Sequence, residues 1–321
     1  MRSVRWLGLL GLYVGAQLVG LLLANPFRAE GLSSSANPQS PTSPLLILVV
    51  IVVAPLAILF FARRRGGLAT IRGLILILIA GSMYVTLYAT FSLLPGTVLL
   101  PPFAAENVFY PALTLAALAS AAIYLALLLD PQWYVVDLAG FVASGALVAI
   151  LGISFAILPA FILLGALMVY DAIAVYGTKH MVSLADTVTE MKLPILMVMP
   201  DSPGYDYTQA PTLKEQRGRP TEERAAMFMG LGDIVIPGTL VVAAFVWLPT
   251  TPAVLGVGAN LWASVGALLG SLVGYGVLMR FVLRGNPQAG LPLLNGGALA
   301  GYALAYLAIF HSGTLGLTGA L

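Results

Sequence analysis

Nine runs of predominantly apolar residues dominate this chain, each close to the length of about 20 at which an α-helix crosses the hydrocarbon core of a bilayer. They fall at 6–24, 45–62, 73–94, 108–129, 134–151, 155–177, 228–248, 258–283 and 292–310. Of the 321 residues, 60% are hydrophobic and only 9% are charged. A soluble chain carries charge on about a quarter of its residues and could not hide this much apolar surface. The pattern therefore predicts an all-α integral membrane protein with nine transmembrane helices. The fifth and sixth are separated only by Gly152, Ile153 and Ser154. The first run follows Arg2 and Arg5, but it is long for a signal peptide and no clear small-x-small site follows, so it reads as a spanning helix.

Basic residues collect on the cytoplasmic side of membrane proteins, which tests this helix map. Arg2 and Arg5 precede helix 1, and Arg63, Arg64, Arg65 and Arg72 lie between helices 2 and 3. Lys179, Lys192, Lys214, Arg217, Arg219 and Arg224 lie between helices 6 and 7, and Arg280 and Arg284 lie near the turn between helices 8 and 9. With the N-terminus cytoplasmic and the C-terminus external, 14 of the 15 basic residues fall inside, leaving Arg28 outside. A wrong helix count would scramble that parity.

The whole chain, 1–321, reads as a single membrane domain: helices 1–6 to about residue 177, a cytoplasmic loop at about 178–227, then helices 7–9. The Ser/Pro-rich stretch 25–44 reads as an external linker. Within the cytoplasmic loop, 192–200 is apolar, short and bounded by prolines, which suits an edge strand or an interfacial segment. The rest of that loop reads as a turn-rich linker. Gly266, Gly270 and Gly274 recur at four-residue spacing in helix 8, as do Gly297 and Gly301 in helix 9. Such spacing lets two helices approach closely, and ordinary helix packing explains it.

Several chemistries are excluded. The chain has no cysteine, so it has no disulfide, thiolate metal site or cysteine nucleophile. Its two histidines, His180 and His311, lie near helix ends, and no HExxH is present. Neither a zinc protease nor a serine–histidine site inside the membrane fits.

The carboxylates are more informative. Asp130 and Asp137 flank the turn between helices 4 and 5, and most of the others lie in loops. Asp171 and Asp233 lie inside apolar runs with no lysine or arginine deep in a helix to pair with them. An ionisable residue within the membrane is a functional candidate because its cost is otherwise hard to justify. Asp171 lies six residues before Gly177, about 9 Å from the expected end of helix 6. Asp233 lies five residues after Phe228, about 8 Å into the expected helix 7. Antiparallel neighbours would bring the two to similar depth. Two facing carboxylates in a poorly solvated site hold one proton between them. The ionised one can then draw a proton from water while the protonated one polarises a peptide carbonyl. Gly230 and Gly232 before Asp233, and Pro237 and Gly238 after it, weaken the helix around it. A yielding site suits a substrate helix that must be unwound before its peptide bonds can be reached.

Tyr170–Asp171 in helix 6, Gly230-Leu231-Gly232-Asp233 in helix 7 and a proline motif opening helix 9 resemble the presenilin and signal peptide peptidase family of GxGD intramembrane aspartyl proteases. The nine helices and cytoplasmic N-terminus are similar to presenilin, whose orientation is the reverse of signal peptide peptidase. The compact size and short loops resemble a microbial homologue of archaeal type. The resemblance covers most of helices 6 to 9; helices 1 to 5 match only in number and topology. It implies Asp171 and Asp233 as the catalytic pair. It also implies Tyr170, Gly230, Leu231, Gly232, Pro292, Leu293 and Leu294 as substrate-binding residues. The family's PAL motif corresponds to Pro292, Leu293 and Leu294, with leucine in place of alanine and Asn295 where proline often follows.

The expected function is thus an intramembrane endopeptidase acting on transmembrane peptide substrates, as a multi-pass protein of the cell membrane. Its partners are the substrate and the lipid bilayer. No nucleic acid, metal or organic cofactor is implied, and a homo-oligomer stays open. A substrate strand added to residues 194–200 would offer an extended peptide for cleavage. Two rivals stand beside this reading. A prepilin- or preflagellin-type GxGD peptidase would carry its other aspartate nearer a cytoplasmic loop. A proton-coupled transporter would use the two aspartates as a relay, but no internal repeat supports it.

Overall fold

A computed structural model of the chain describes residues 5–62, 67–93, 109–177, 189, 191–202, 204–209, 225–283 and 288–317. Arg63, Arg64, Arg65, Glu106, His180, Arg284 and most of the turn-rich linker lie outside these residues. Among the described residues the chain forms nine α-helices: α1 (Arg5–Ala29), α2 (Ser43–Ala62), α3 (Gly67–Leu93), α4 (Phe109–Leu129), α5 (Trp133–Ser154), α6 (Ile157–Ala172), α7 (Leu231–Trp247), α8 (Ala259–Val282) and α9 (Leu291–Phe310). A π-helical turn, Ile173–Gly177, continues α6. Among the described residues seven helices are long and apolar enough to cross a membrane. Their outward faces carry large apolar side chains, such as Leu22 at 74% exposure and Leu304 at 71%, a surface suited to lipid and not to water.

Two expectations need correction. The fold is not purely helical, because β1 (Leu196–Pro200) pairs with β2 (Ala226–Gly230) in an antiparallel two-stranded sheet, with Val198 opposite Phe228. The apolar run expected to be helical from 228 therefore begins as strand, and the helix starts at Leu231. The cause is local. Gly230 keeps an extended backbone (φ −68°, ψ 141°) as the residue capping α7, and Leu231 donates its N–H back to the Ile195 carbonyl at 3.0 Å, prolonging the strand pairing. A smaller shift separates α5 from α6: residues 152–154 finish α5, and the break falls at Phe155 and Ala156, both extended.

The core is built around α7. Residues from Ile234 to Ala244 are buried without interruption, so this helix is enclosed by protein on every side. The largest buried cluster draws on α1, α3 and α5 through α9, joining the two sides of the long loop in one core.

Helices α8 and α9 meet along the expected glycine seam. A Cβ on Gly270 would collide with the Gly297 carbonyl oxygen, and one on Gly301 with the Gly266 carbonyl. Backbones at this spacing gain dispersion contacts that longer side chains would prevent, and such contacts drive helix association in lipid. A second tie runs from α9 to α6, where the buried Asn295 donates its Nδ2–H to the Leu164 carbonyl at 3.1 Å. Both devices fix where α9 begins, at the level of the aspartates.

Candidate active site

Asp171 occupies the last turn of α6, is buried, and immediately precedes the π-turn. Its Oδ2 accepts the backbone N–H of Leu291 at 3.0 Å. Leu291 is the first residue of α9, so the carboxylate satisfies a helix N-terminal N–H that has no partner within the helix. The π-turn makes a second junction with the same segment. Tyr176 donates its hydroxyl to Gln288 Oε1 at 2.7 Å and accepts the Ala289 N–H at 3.1 Å.

Asp233 is the third residue of α7 and half-buried. It lies only about 3 Å along the helix axis from its start, not the 8 Å expected from a helix beginning at 228. The residues before it, 226–230, are strand β2 and not helix. An acidic side chain at this position favours the helix N-terminus and can reach back to the capping residue. Asp233 does so, bonding the backbone of Gly230. Pro237, one turn later, has no N–H to offer the Asp233 carbonyl, which loosens α7 above the carboxylate.

Both carboxylates meet at the start of α9. A Cβ placed on Gly290 would lie 2.8 Å from Oδ1 of Asp233, and the next residue, Leu291, bonds Asp171. The two aspartates are close enough to repel each other when both are ionised. Each also faces a helix N-terminus, Asp233 that of α7 and Asp171 that of α9, which favours negative charge there. The arrangement can hold two carboxyl groups with one proton between them, beside a backbone turn lacking any side chain at Gly290.

The other expected residues divide. Gly230 caps α7, and above Gly232 a Cβ would meet open space, so this turn leaves room beside Asp233. Pro292 is half-buried in the first turn of α9, where its missing N–H costs no helical bond. Tyr170 is half-buried and packs on the main core cluster. Leu293 is half-buried, whereas Leu294 and Leu231 are buried in the cluster around Tyr13 and Tyr275; Leu231 rests against Gly140 of α5.

Sequence reasoning overlooked Gly290, Leu291 and Tyr176. It also placed Asp137 at a turn, but Asp137 is buried in the second turn of α5. That signal was available, since Asp137 lies within the apolar run 134–151. Among the described residues no group of three metal-ligating side chains could hold a metal ion.

The sequence from 10 to 310 matches the family model described as signal-peptide peptidase, presenilin aspartyl protease. Two solved structures are similar to the chain. A presenilin family intramembrane aspartate protease in a C222 crystal form shares 29% identity at a TM-score of 0.61, over 94% of this chain and 99% of that one. A presenilin family intramembrane aspartate protease in a P2 form shares 31% identity at a TM-score of 0.58, over 92% and 95%. Among curated proteins none matches.

Proposed function

The chain belongs to the signal-peptide peptidase, presenilin aspartyl protease family, and from that premise we propose that Asp171 and Asp233 are the pair through which it hydrolyses peptide bonds. It is an intramembrane aspartyl protease, a hydrolase of transmembrane segments. The observation that carries the assignment is the shared contact of both carboxylates with the Gly290–Leu291 turn.

The chemistry needs only the pair and a water. The ionised carboxylate takes a proton as the water oxygen attacks the scissile carbonyl carbon. The protonated carboxyl gives its proton to the carbonyl oxygen, forming a gem-diol. The carboxyl that received the water proton then passes it to the amide nitrogen. The C–N bond breaks, and the other carboxylate recovers its proton from the gem-diol. The pair ends as it began, holding one proton.

The register supports a docking edge for an extended substrate. Leu231 and Asp201 donate to Ile195 and Ala225 across the ladder at 3.0 and 2.9 Å. Hydrogen-bonded pairs alternate in an antiparallel ladder, so Val198 and Phe228 turn their backbone groups away from the partner strand. On β1 that outer edge faces α5, where Val198 donates its N–H to Asp137 Oδ1 at 2.7 Å. The edge expected at 194–200 is therefore engaged. Substrate adds to the outer edge of β2, around Phe228, two residues before Gly230 and beside Asp233.

The chain crosses the cell membrane nine times as a single domain, with its N-terminus cytoplasmic and C-terminus external. The apolar helices and the one-sided basic residues support this topology. Unwound transmembrane segments are its substrates and lipid its surroundings.

The test is cleavage of a single-span substrate by purified protein in detergent. Wild type cuts it, and Asp171→Asn and Asp233→Asn each abolish cutting while staying folded. Cleavage retained in either folded variant removes that residue from the pair.

A further inference from the structure

Among the described residues the mechanism leaves one buried carboxylate unused. Asp137 is 5% exposed and sits in the second turn of α5. A carboxylate in this setting is costly unless its bonds hold something in place. What it holds is the outward N–H of Val198, at 2.7 Å. That N–H is the group β1 would otherwise present to an added strand. Pro200, the next outward-facing residue of β1, has no N–H at all.

The same face of α5 supports the rest of the junction. One turn on from Asp137, Gly140 leaves space in which Leu231 Cδ2 and the Pro194 carbonyl lie 3.2 and 3.6 Å from a hypothetical Cβ. Residues at i and i+3 share a helical face. Asp137 therefore grips β1, while Gly140 receives the residue that joins β2 to α7. From the other side, Tyr207 is fully buried with its ring 6.5 Å from that of Phe228. Its segment is tied to the start of α5, since Tyr207 donates its N–H to Gln132 Oε1 at 3.3 Å.

We propose that Asp137 is a positioning residue for substrate: through Val198 it clamps β1 to α5, seals the wrong edge of the sheet, and holds the outer edge of β2 in line with Asp233. This rests on the reading that substrate docks on β2. The carboxylate acts through the strand that it holds. Its loss leaves the pair intact but lets the sheet move, so docking pays an ordering cost that the clamp has already met. The defect then appears in KM more than in kcat. A merely structural defect lowers the amount of active enzyme, and so the maximal rate, without changing KM.

The experiment measures KM and kcat for a single-span substrate in detergent, alongside thermal unfolding, for Asp137→Asn, Asp137→Leu, Val198→Pro and the Leu/Pro double variant. Asparagine keeps an acceptor and holds KM near wild type. Asp137→Leu raises KM about tenfold, the size expected for one lost hydrogen bond to a charged group, with kcat within about twofold. Val198→Pro removes the same bond from the strand side, at an outward position where proline does not interrupt the ladder. The double variant is then no worse than either single one. Unchanged KM in folded Asp137→Leu overturns the proposal. If that variant does not fold, wild-type KM in Val198→Pro overturns it instead. Failure of wild type to cleave would strike the protease reading itself, a different result from cleavage that ignores Asp137.

Discussion

Leu291 donates its backbone N–H to Asp171 at 3.0 Å, so a carboxylate from α6 caps the first turn of α9. Asp233 lies against Gly290, one residue earlier. The start of α9 is thus the third wall of the site, and it contributes backbone instead of a reactive side chain. Whatever moves this turn moves both carboxylates relative to each other.

Gly290→Ala tests that wall directly. Gly290 has φ −77° and ψ −45°, a conformation open to alanine, so the substitution strains no backbone. The new methyl group would instead lie 2.8 Å from Asp233 Oδ1, closer than such contacts occur. The carboxylate must shift, and a small misplacement of a reacting group costs up to about a hundredfold in rate. We expect kcat to fall at least tenfold with little change in unfolding temperature, measured by product formation and by thermal scans.

Phe228→Pro tests the docking edge. Its N–H points away from β1, so proline there removes a bond from substrate and none from the β1–β2 ladder. KM should rise about five- to tenfold, the size of one net hydrogen bond. Met229→Pro, whose N–H faces β1, should instead lower stability. Equal behaviour of the two variants would count against the assigned edge.

The seam of α8 and α9 makes a prediction about stability. Gly270→Ala drives a methyl group into the Gly297 carbonyl and should cost about 1–3 kcal/mol. Gly276→Ala, on the same helix with open space around it, should be neutral or slightly stabilising. Urea or thermal unfolding of both variants checks this contrast.

Asn295→Leu removes the bond from α9 to the Leu164 carbonyl. The expected loss is about 1 kcal/mol of stability, as for other hydrogen bonds between membrane helices. Cleavage should fall by more than the lost folded fraction explains, because the bond joins the helices that carry Asp171 and Leu291. Activity per folded molecule, compared with wild type, decides it.

The apolar runs and the two isolated aspartates were legible in the chain because both reflect local rules. Bilayer thickness sets the length of a spanning run, and the cost of a membrane carboxylate marks Asp171 and Asp233, and equally marks Asp137. The start of α7 was not legible. Residues 226–230 are apolar enough for a helix, and only pairing with β1, some thirty residues away in sequence, makes them strand. What Asp137 holds was not legible for a related reason: its partner, Val198, is brought to it by that same strand.

Sequence alone determined the chemistry available to this protein. It supplies carboxylates inside apolar runs, no thiol, and a chain that must fold in lipid. The tertiary structure decided how that chemistry is held. Gly290 and Leu291 are an ordinary pair of residues until the glycine seam and Asn295 bring the start of α9 against both aspartates. Backbone N–H groups and missing side chains leave almost no signal in composition or periodicity. Their meaning depends on what packs against them, and packing is set by the whole bundle at once.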